Sequence, residues 1–185
     1  MRFDLPRYAM VLPLACVLVS TPALADIAWR KLENGRQSVF IAEGNPWGFA
    51  EPDWLSISVN DKGAGRSEWL RWGSAASISP TARFNHQRAI NFRYYSVKDE
   101  FDAEVGSHGG IRRGDVRIIE TDKGRVEALD FEINWKGYFR NCLYFKFADR
   151  PRREISKGYL CADGDRVTSD GELRMFIDAL VLRDP

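Results

Sequence analysis

"YFRNCLYFKFADRPRREISKGYLC", residues 138–161, holds two of the three cysteines of the chain, one on each side of an Arg- and Pro-rich bend. Residues 138–148 and 155–162 are rich in Tyr, Phe, Leu and Ile, the composition of strands. A hairpin closed at Pro151-Arg152 gives antiparallel partners whose numbers sum to 303, so Cys142 faces Cys161 and Tyr144 faces Tyr159. Facing residues at a non-hydrogen-bonded position lie about 4.5 Å apart at Cα, within reach of a disulfide. A slip of one residue would send the sulfurs to opposite faces, so the cystine would also pin the register. By the chain-entropy argument, closing a loop of about twenty residues contributes roughly 3 kcal/mol. The pair lacks the Cys-x-x-Cys spacing of a catalytic dithiol, which makes it a structural staple.

The reading extends outward from this hairpin. Upstream, "DVRIIET" (115–121) is expected as a strand and "DKG" (122–124) as a turn, with Gly124 at positive φ in a three-residue loop. "RVEALDFEINW" (125–135) is the next strand. In it Leu129, Phe131, Ile133 and Trp135 alternate with Asp130, Glu132 and Asn134, which assigns one face to the core and one to water. After the "KG" turn the cysteine hairpin completes a four-strand antiparallel meander. Downstream, Ser169 followed by Glu172 reads as a capping box. Leu173, Phe176, Ile177 and Leu180 fall at i, i+3, i+4 and i+7, predicting an amphipathic closing helix of about eleven residues laid on the sheet.

The first half is less regular. "IAWRKL" (27–32), "SVFIAEG" (38–44) and "PDWLSISVN" (52–60) are expected as strands, "GRSEWLRWGS" (65–74) as a helical turn, and "RAINFRYYSVK" (88–98) as a strand. "DEFDAEVGSHGGIRRGD" (99–115), glycine-rich from Gly106, is expected as a loop. Together these predict one α+β domain over residues 26–185: an antiparallel sheet, including the C-terminal meander, with helices packed on it.

The N-terminus bears on the compartment. Arg2 and Arg7 precede an apolar run from Tyr8 to Val19, which ends in Ser-Thr-Pro and Ala23-Leu24-Ala25. Residues 1–25 therefore read as a secretory signal peptide cleaved after Ala25. Pro13, Pro22 and the small-residue ending argue against a retained membrane anchor. Pro13 before Cys16, and the absence of a polar start after it, argue against a lipid-modified cysteine. The expected location is periplasmic or secreted, where paired cysteines oxidise. Removing Arg2, Arg7 and Asp4 leaves 25 basic and 25 acidic residues, no electrostatic case for nucleic acid. His86 and His108 lack the paired spacings of a zinc site, so no metal or cofactor is expected.

Three stretches are candidates for function, each with a structural counterpart. Trp47, Phe49, Trp54, Trp69 and Trp72 crowd into 26 residues among Pro46, Gly48 and Pro52. On a helical turn Trp69 and Trp72 would share a face. Rigid aromatic faces on such loops could line a pocket for a sugar, peptide or lipid chain, with Trp47 at its border; the competing assignment is core. Arg150, Arg152 and Arg153 on the hairpin tip could meet an acidic partner or phosphate, or serve as a solvated turn that discourages edge association. Ser107 and His108 sit among glycines, but without a Gly-x-Ser-x-Gly elbow or an acid at a diagnostic spacing. Arg113-Gly114-Asp115 matches a cell-adhesion tripeptide of a length that arises by chance.

The segments "NCLYF" (141–145), "ISKGYLC" (155–161) and "ELRMFIDAL" (172–180) resemble the tails of uncharacterised secreted bacterial proteins. Their succession of sheet and terminal helix is loosely similar to the Mog1/PsbP-like α/β/α sandwich. The resemblance covers about the last 75 residues and implies a fold shared mostly by binding or assembly accessories. It carries over no functional residue. The expectation is a non-catalytic periplasmic or secreted protein that binds an envelope partner or a small ligand. The alternative is an extracytoplasmic hydrolase using His108 or His86.

Overall fold

The computed structural model describes residues 29–32, 36–60, 65–73, 79–88, 94–135 and 137–183; the expected leader, with Cys16, lies outside them. In chain order the elements are β1 (Trp29–Leu32), β2 (Val39–Ile41), β3 (Trp54–Asn60), β4 (Arg66–Trp72), β5 (Thr81–Arg88) and α1 (Val97–Glu104). They are followed by β6 (Ile111–Thr121), β7 (Gly124–Trp135), β8 (Tyr138–Asp149), β9 (Glu154–Cys161), α2 (Asp170–Ala179) and β10 (Leu180–Leu182). Eight strands form one antiparallel sheet in the order β1-β3-β4-β5-β9-β8-β7-β6, and β2 pairs with β10 separately. The pairing of β5 with β9 joins an N-terminal group of strands to the C-terminal meander.

This overturns the expected α+β layout of a sheet covered by helices. Among the described residues strand accounts for 54% and helix for 15%, so the eight-strand sheet is the body and the two helices are short attachments. The main reason is Arg66–Trp72 within "GRSEWLRWGS", which is strand β4, third in the sheet, and not a helical turn. In a strand, residues three apart point to opposite faces. Trp72 is accordingly buried on one face, while Trp69 stands half-buried on the other. Helix also appears where none was expected. Ser96 caps α1 by accepting from the Asp99 amide, inside a stretch assigned to strand and loop. Residues 89–93 of that stretch lie outside the described residues.

The C-terminal hairpin has the register read from its cysteines: Cys142 faces Cys161, Tyr144 faces Tyr159, and the Cα atoms of the disulfide pair are 4.3 Å apart. Thr121 pairs directly with Gly124, so the β6–β7 turn has two residues, not three, with Gly124 at φ 101°. The capping box at Ser169 and Glu172 is formed. Trp135 departs from the expected buried face of β7 and is 37% exposed.

Alternation along the strands gives the sheet two different faces. Leu70, Trp72, Ala82, Phe84, Leu143, Phe145 and Leu160 project toward α2, which buries Leu173, Phe176 and Ile177 against them. Each such side chain removed from water contributes about 1.5–3 kcal/mol. Gly158 of β9 lies between Phe84 of β5 and Phe145 of β8, whose rings stack 6.2 Å apart across it. A Cβ at Gly158 would come within 1.9 Å of the Arg83 carbonyl oxygen, so strand and neighbour meet here only because the side chain is missing. On the opposite face α1 lays Val97, Phe101 and Val105 over Leu129, Phe131, Ile133, Tyr144 and the disulfide. Strand β8 is covered on both sides, and residues 142–147 are all buried. Among the described residues no helix is long and apolar enough to cross a membrane.

Candidate functional site

The α1 face carries rows of side chains running across the strands, because directly paired residues project to the same side. One row is Trp54 (β3), Arg71 (β4), Arg83 (β5), Tyr159 (β9), Tyr144 (β8) and Leu129 (β7). The next is Ser56, Trp69, Asn85, Lys157, Lys146 and Glu127. Helix α1 covers the β7 end of both rows. Where its C-terminal end meets the open part of the sheet there is a groove of about 310 Å³. That is at the small end of the range for small-molecule sites. Arg71, Arg83 and Tyr159 line it from the sheet, Val105 and His108 from the end of α1, and Trp54, Ile133 and Trp135 supply apolar wall.

A network of charges beneath α1 fixes that wall. Lys146, with its side chain fully buried, donates to Glu100 at 3.2 Å and to the Tyr95 carbonyl. Lys157 donates to Glu100 at 2.5 Å and also pairs with Glu104. The Tyr144 hydroxyl donates to Glu104 at 2.9 Å. Burial alone would raise the Glu100 carboxyl, but Lys157 and Lys146 outweigh it and hold it below its ordinary value. Burial alone would lower Lys157, and Glu104 and Glu100 outweigh that and raise it. In Lys146 burial wins over Glu100, and the ammonium is lowered. Glu104 thus lines the groove with its oxygens already engaged.

The two arginines of the groove can only donate. The Arg83 guanidinium lies 4.6 Å from the centre of the Trp69 ring, a cation–π contact. Neither Arg71 nor Arg83 forms an ion pair among the described residues. Burial raises the Tyr159 phenol, and the charges of Arg83 and Arg71 pull it back down. His108 Nδ1 lies 2.8 Å from the Glu104 carbonyl, an acceptor only, so this nitrogen carries the proton and Nε2 is the free one. One row further, buried Asn85 donates to Ser67 Oγ and the Glu68 carbonyl, and its Oδ1 has no hydrogen-bond partner among the described residues.

The sequence candidates divide between this groove and other places. Trp54, 42% exposed, and Trp69 stand on the α1 face, Trp54 in the groove and Trp69 beside it under Arg83. Trp47 and Trp72 belong to the other face: both meet Phe176 edge-on, and Trp72 Nε1 donates to the Ala50 carbonyl. Arg150 lies over the Tyr94 ring, Arg152 pairs with Asp149, and Arg153 closes the hairpin tip with φ 57°, far from the groove in the register. The Cys142–Cys161 pair lies in the floor under α1. Arg71 and Arg83 were not singled out from the sequence. They are twelve positions apart and become neighbours only once β4 is a strand paired with β5.

Each histidine does have a serine beside it. Ser107 Oγ is 3.0 Å from His108 Nδ1, but that nitrogen is held as a donor by Glu104, and the hydroxyl itself donates to the Ala103 carbonyl at 2.9 Å. His108 therefore has no lone pair to offer Ser107. His86 Nδ1 is 3.0 Å from Ser156 Oγ on the α2 face. Burial holds the His86 ring below its ordinary value against the pull of Glu154 and Glu68. Those two carboxylates are bound elsewhere, Glu68 by Ser38 and Arg66, Glu154 by Arg88. Ser156 is only 2% exposed, out of reach for a substrate carbonyl. Among the described residues no group of three or more His, Cys, Asp or Glu side chains could hold a metal ion. Compared with protein-family models, curated proteins and solved structures, the chain matches none of them.

Proposed function

We propose that this is a non-catalytic protein working outside the cytoplasm, periplasmic or secreted, that binds a small ligand in the groove between the end of α1 and strands β3, β4, β5 and β9. The observation that supports it best is the groove itself: a concave surface with aromatic walls, anchored from below by the Glu100–Lys146–Lys157 network. Such a wall is pre-formed, so little order has to be imposed on binding. The leader at residues 1–25 and the disulfide suit an oxidising compartment. The Mog1/PsbP-like resemblance belongs to the same reading, since those proteins are mostly binding or assembly accessories.

The test is a tryptophan-fluorescence and thermal-shift screen of small neutral and charged ligands on the mature chain. A ligand that perturbs the wild type should lose its effect in Trp54→Ala and keep it in Trp47→Ala, which changes the other face. A ligand whose effect survives Trp54→Ala, or a screen without any response, ends the reading. The hydrolase alternative is tested alongside it: His86→Ala and His108→Ala would abolish esterase or amidase turnover if either histidine were a base. We expect no such turnover in the wild type.

A further inference from the structure

We infer that the groove recognises a single oxyanion head, a carboxylate or a phosphate monoester, carried on a planar or apolar body, with Arg71 and Arg83 as its clamp. The inference rests on the groove being the binding site and goes on to name what it selects. Cations that face each other directly on neighbouring strands repel. Three such pairs occur among the described residues: Arg66 with Arg88, Lys146 with Lys157, and Arg71 with Arg83.

The chain itself neutralises two of the three. Arg66 pairs with Glu68 at 2.7 Å and Arg88 donates from Nε to Glu154 at 2.8 Å. Lys146 and Lys157 share Glu100, and Lys157 also has Glu104. Among the described residues no carboxylate pairs with Arg71 or Arg83, although they form the same kind of pair. Of the described residues lining their groove the one acid is Glu104, and it is already engaged with Lys157 and Tyr144.

The groups around the pair fit an anion as well. A guanidinium presents a planar fork that holds a carboxylate or phosphate through two parallel hydrogen bonds. Arg71 and Arg83 on adjacent strands line one small space with Tyr159, and Trp54, Val105, Ile133 and Trp135 line the rest of it. The head would lie over β4 and β5, and the body would run toward β7 under the end of α1.

The experiment uses matched probes on the mature, disulfide-bonded chain, read by calorimetry. The acids are naphthalene-2-carboxylate, 2-naphthyl phosphate and decanoate; their neutral counterparts are naphthalene-2-carboxamide, 2-naphthol and decanamide. We expect at least one acid to bind about tenfold or more tighter than its neutral counterpart, a gap carried by charge-assisted hydrogen bonds. Arg71→Gln and Arg83→Gln should each erase that gap, and Arg152→Gln on the hairpin tip should leave it. Arg71 is exposed, so its variant folds even if the Arg83 variant does not, and circular dichroism checks both. Preference for the naphthyl phosphate or for the carboxylates tells the two heads apart. If neutral and acidic members bind equally, or the arginine variants keep the gap, the oxyanion inference falls while the groove remains a binding site. If no probe of either kind binds, both readings fall.

Discussion

On the α2 face Phe84 meets Phe145, and Phe145 and Trp72 of the sheet meet Phe176 of α2, ring against ring; on the α1 face of the central strands β4, β5, β9 and β8 stand Arg71, Arg83, Lys157 and Lys146. Alternation alone separates them, since neighbouring residues of one strand go to opposite sides. Under α2 that face is apolar and complementary, and further along the same strands it carries Glu68, His86, Ser156 and Glu154, whose two acids are matched by Arg66 and Arg88. The α1 face combines a small apolar patch with charges that must be matched one by one, and at one end they are not. Both faces hold buried polar groups, and the difference teaches where to look for function: at the place where facing cations stand without a matching acid, rather than where every charge is answered within the fold.

Substitutions can break this comparison or sharpen it. The largest loss is expected at Phe176→Ala, about 4 kcal/mol by urea denaturation, because the ring touches Trp47, Phe49, Trp72 and Phe145 and leaves a cavity. Replacing both Cys142 and Cys161 by alanine should cost roughly 3 kcal/mol, measured the same way against the oxidised chain. Glu100→Gln should cost about 3 kcal/mol, since it leaves Lys146 and Lys157 buried without their shared acid.

That network also gives the α1 face a pH signature. A carboxyl held below its ordinary value of 4.5 stabilises the fold above that pH and loses the contribution as pH falls through the depressed value. Lys157, raised above its ordinary 10.5, stabilises below that pH and loses it as pH rises through the raised value. The protection factors of the α1 amides, from which the intrinsic pH dependence of exchange is divided out, should therefore fall at both extremes in the wild type and lose the acid limb in Glu100→Gln. Equal protection of α1 at all pH values would remove the electrostatic half of the comparison. A smaller effect, about 1 kcal/mol, is expected from Ser169→Ala at the α2 cap, read as a drop in melting temperature. The smallest is at Arg71→Gln, within a few tenths of a kcal/mol of wild type or slightly stabilising, since it relieves a like-charge pair. A loss above about 1 kcal/mol there would mean that the arginine supports the fold and not a ligand.

The C-terminal hairpin was legible because two cysteines and a turn fix one register, and the remaining pairings follow from it. The closing helix was legible from Ser169, Glu172 and the spacing of Leu173, Phe176 and Ile177. Helix α1 was not, although its signal is there: Ser96 before Asp99 and Glu100, then Val97, Phe101 and Val105 four residues apart. Tyr94 and Tyr95 next to it favour strand and masked it. The groove was the least legible part. Trp54 and Trp69 were named as candidates, but "SEWLRW" gave no clean choice between periods of two and three and a half. Without β4 as a strand, nothing in the sequence puts Arg71 beside Arg83.

Strand β10 follows α2 directly, and its three residues pair with β2 near the other end of the chain: Leu180 with Ile41, Val181 with Phe40, Leu182 with Val39. Two flanking bonds, from the Ala42 amide to Ala179 and from the Arg183 amide to Ser38, extend the contact. During synthesis the β2 segment thus waits for roughly 140 further residues before its partner exists. Long-range closure of this kind slows folding, and it leaves the β2 edge unpaired until Leu180, Val181 and Leu182 have been made.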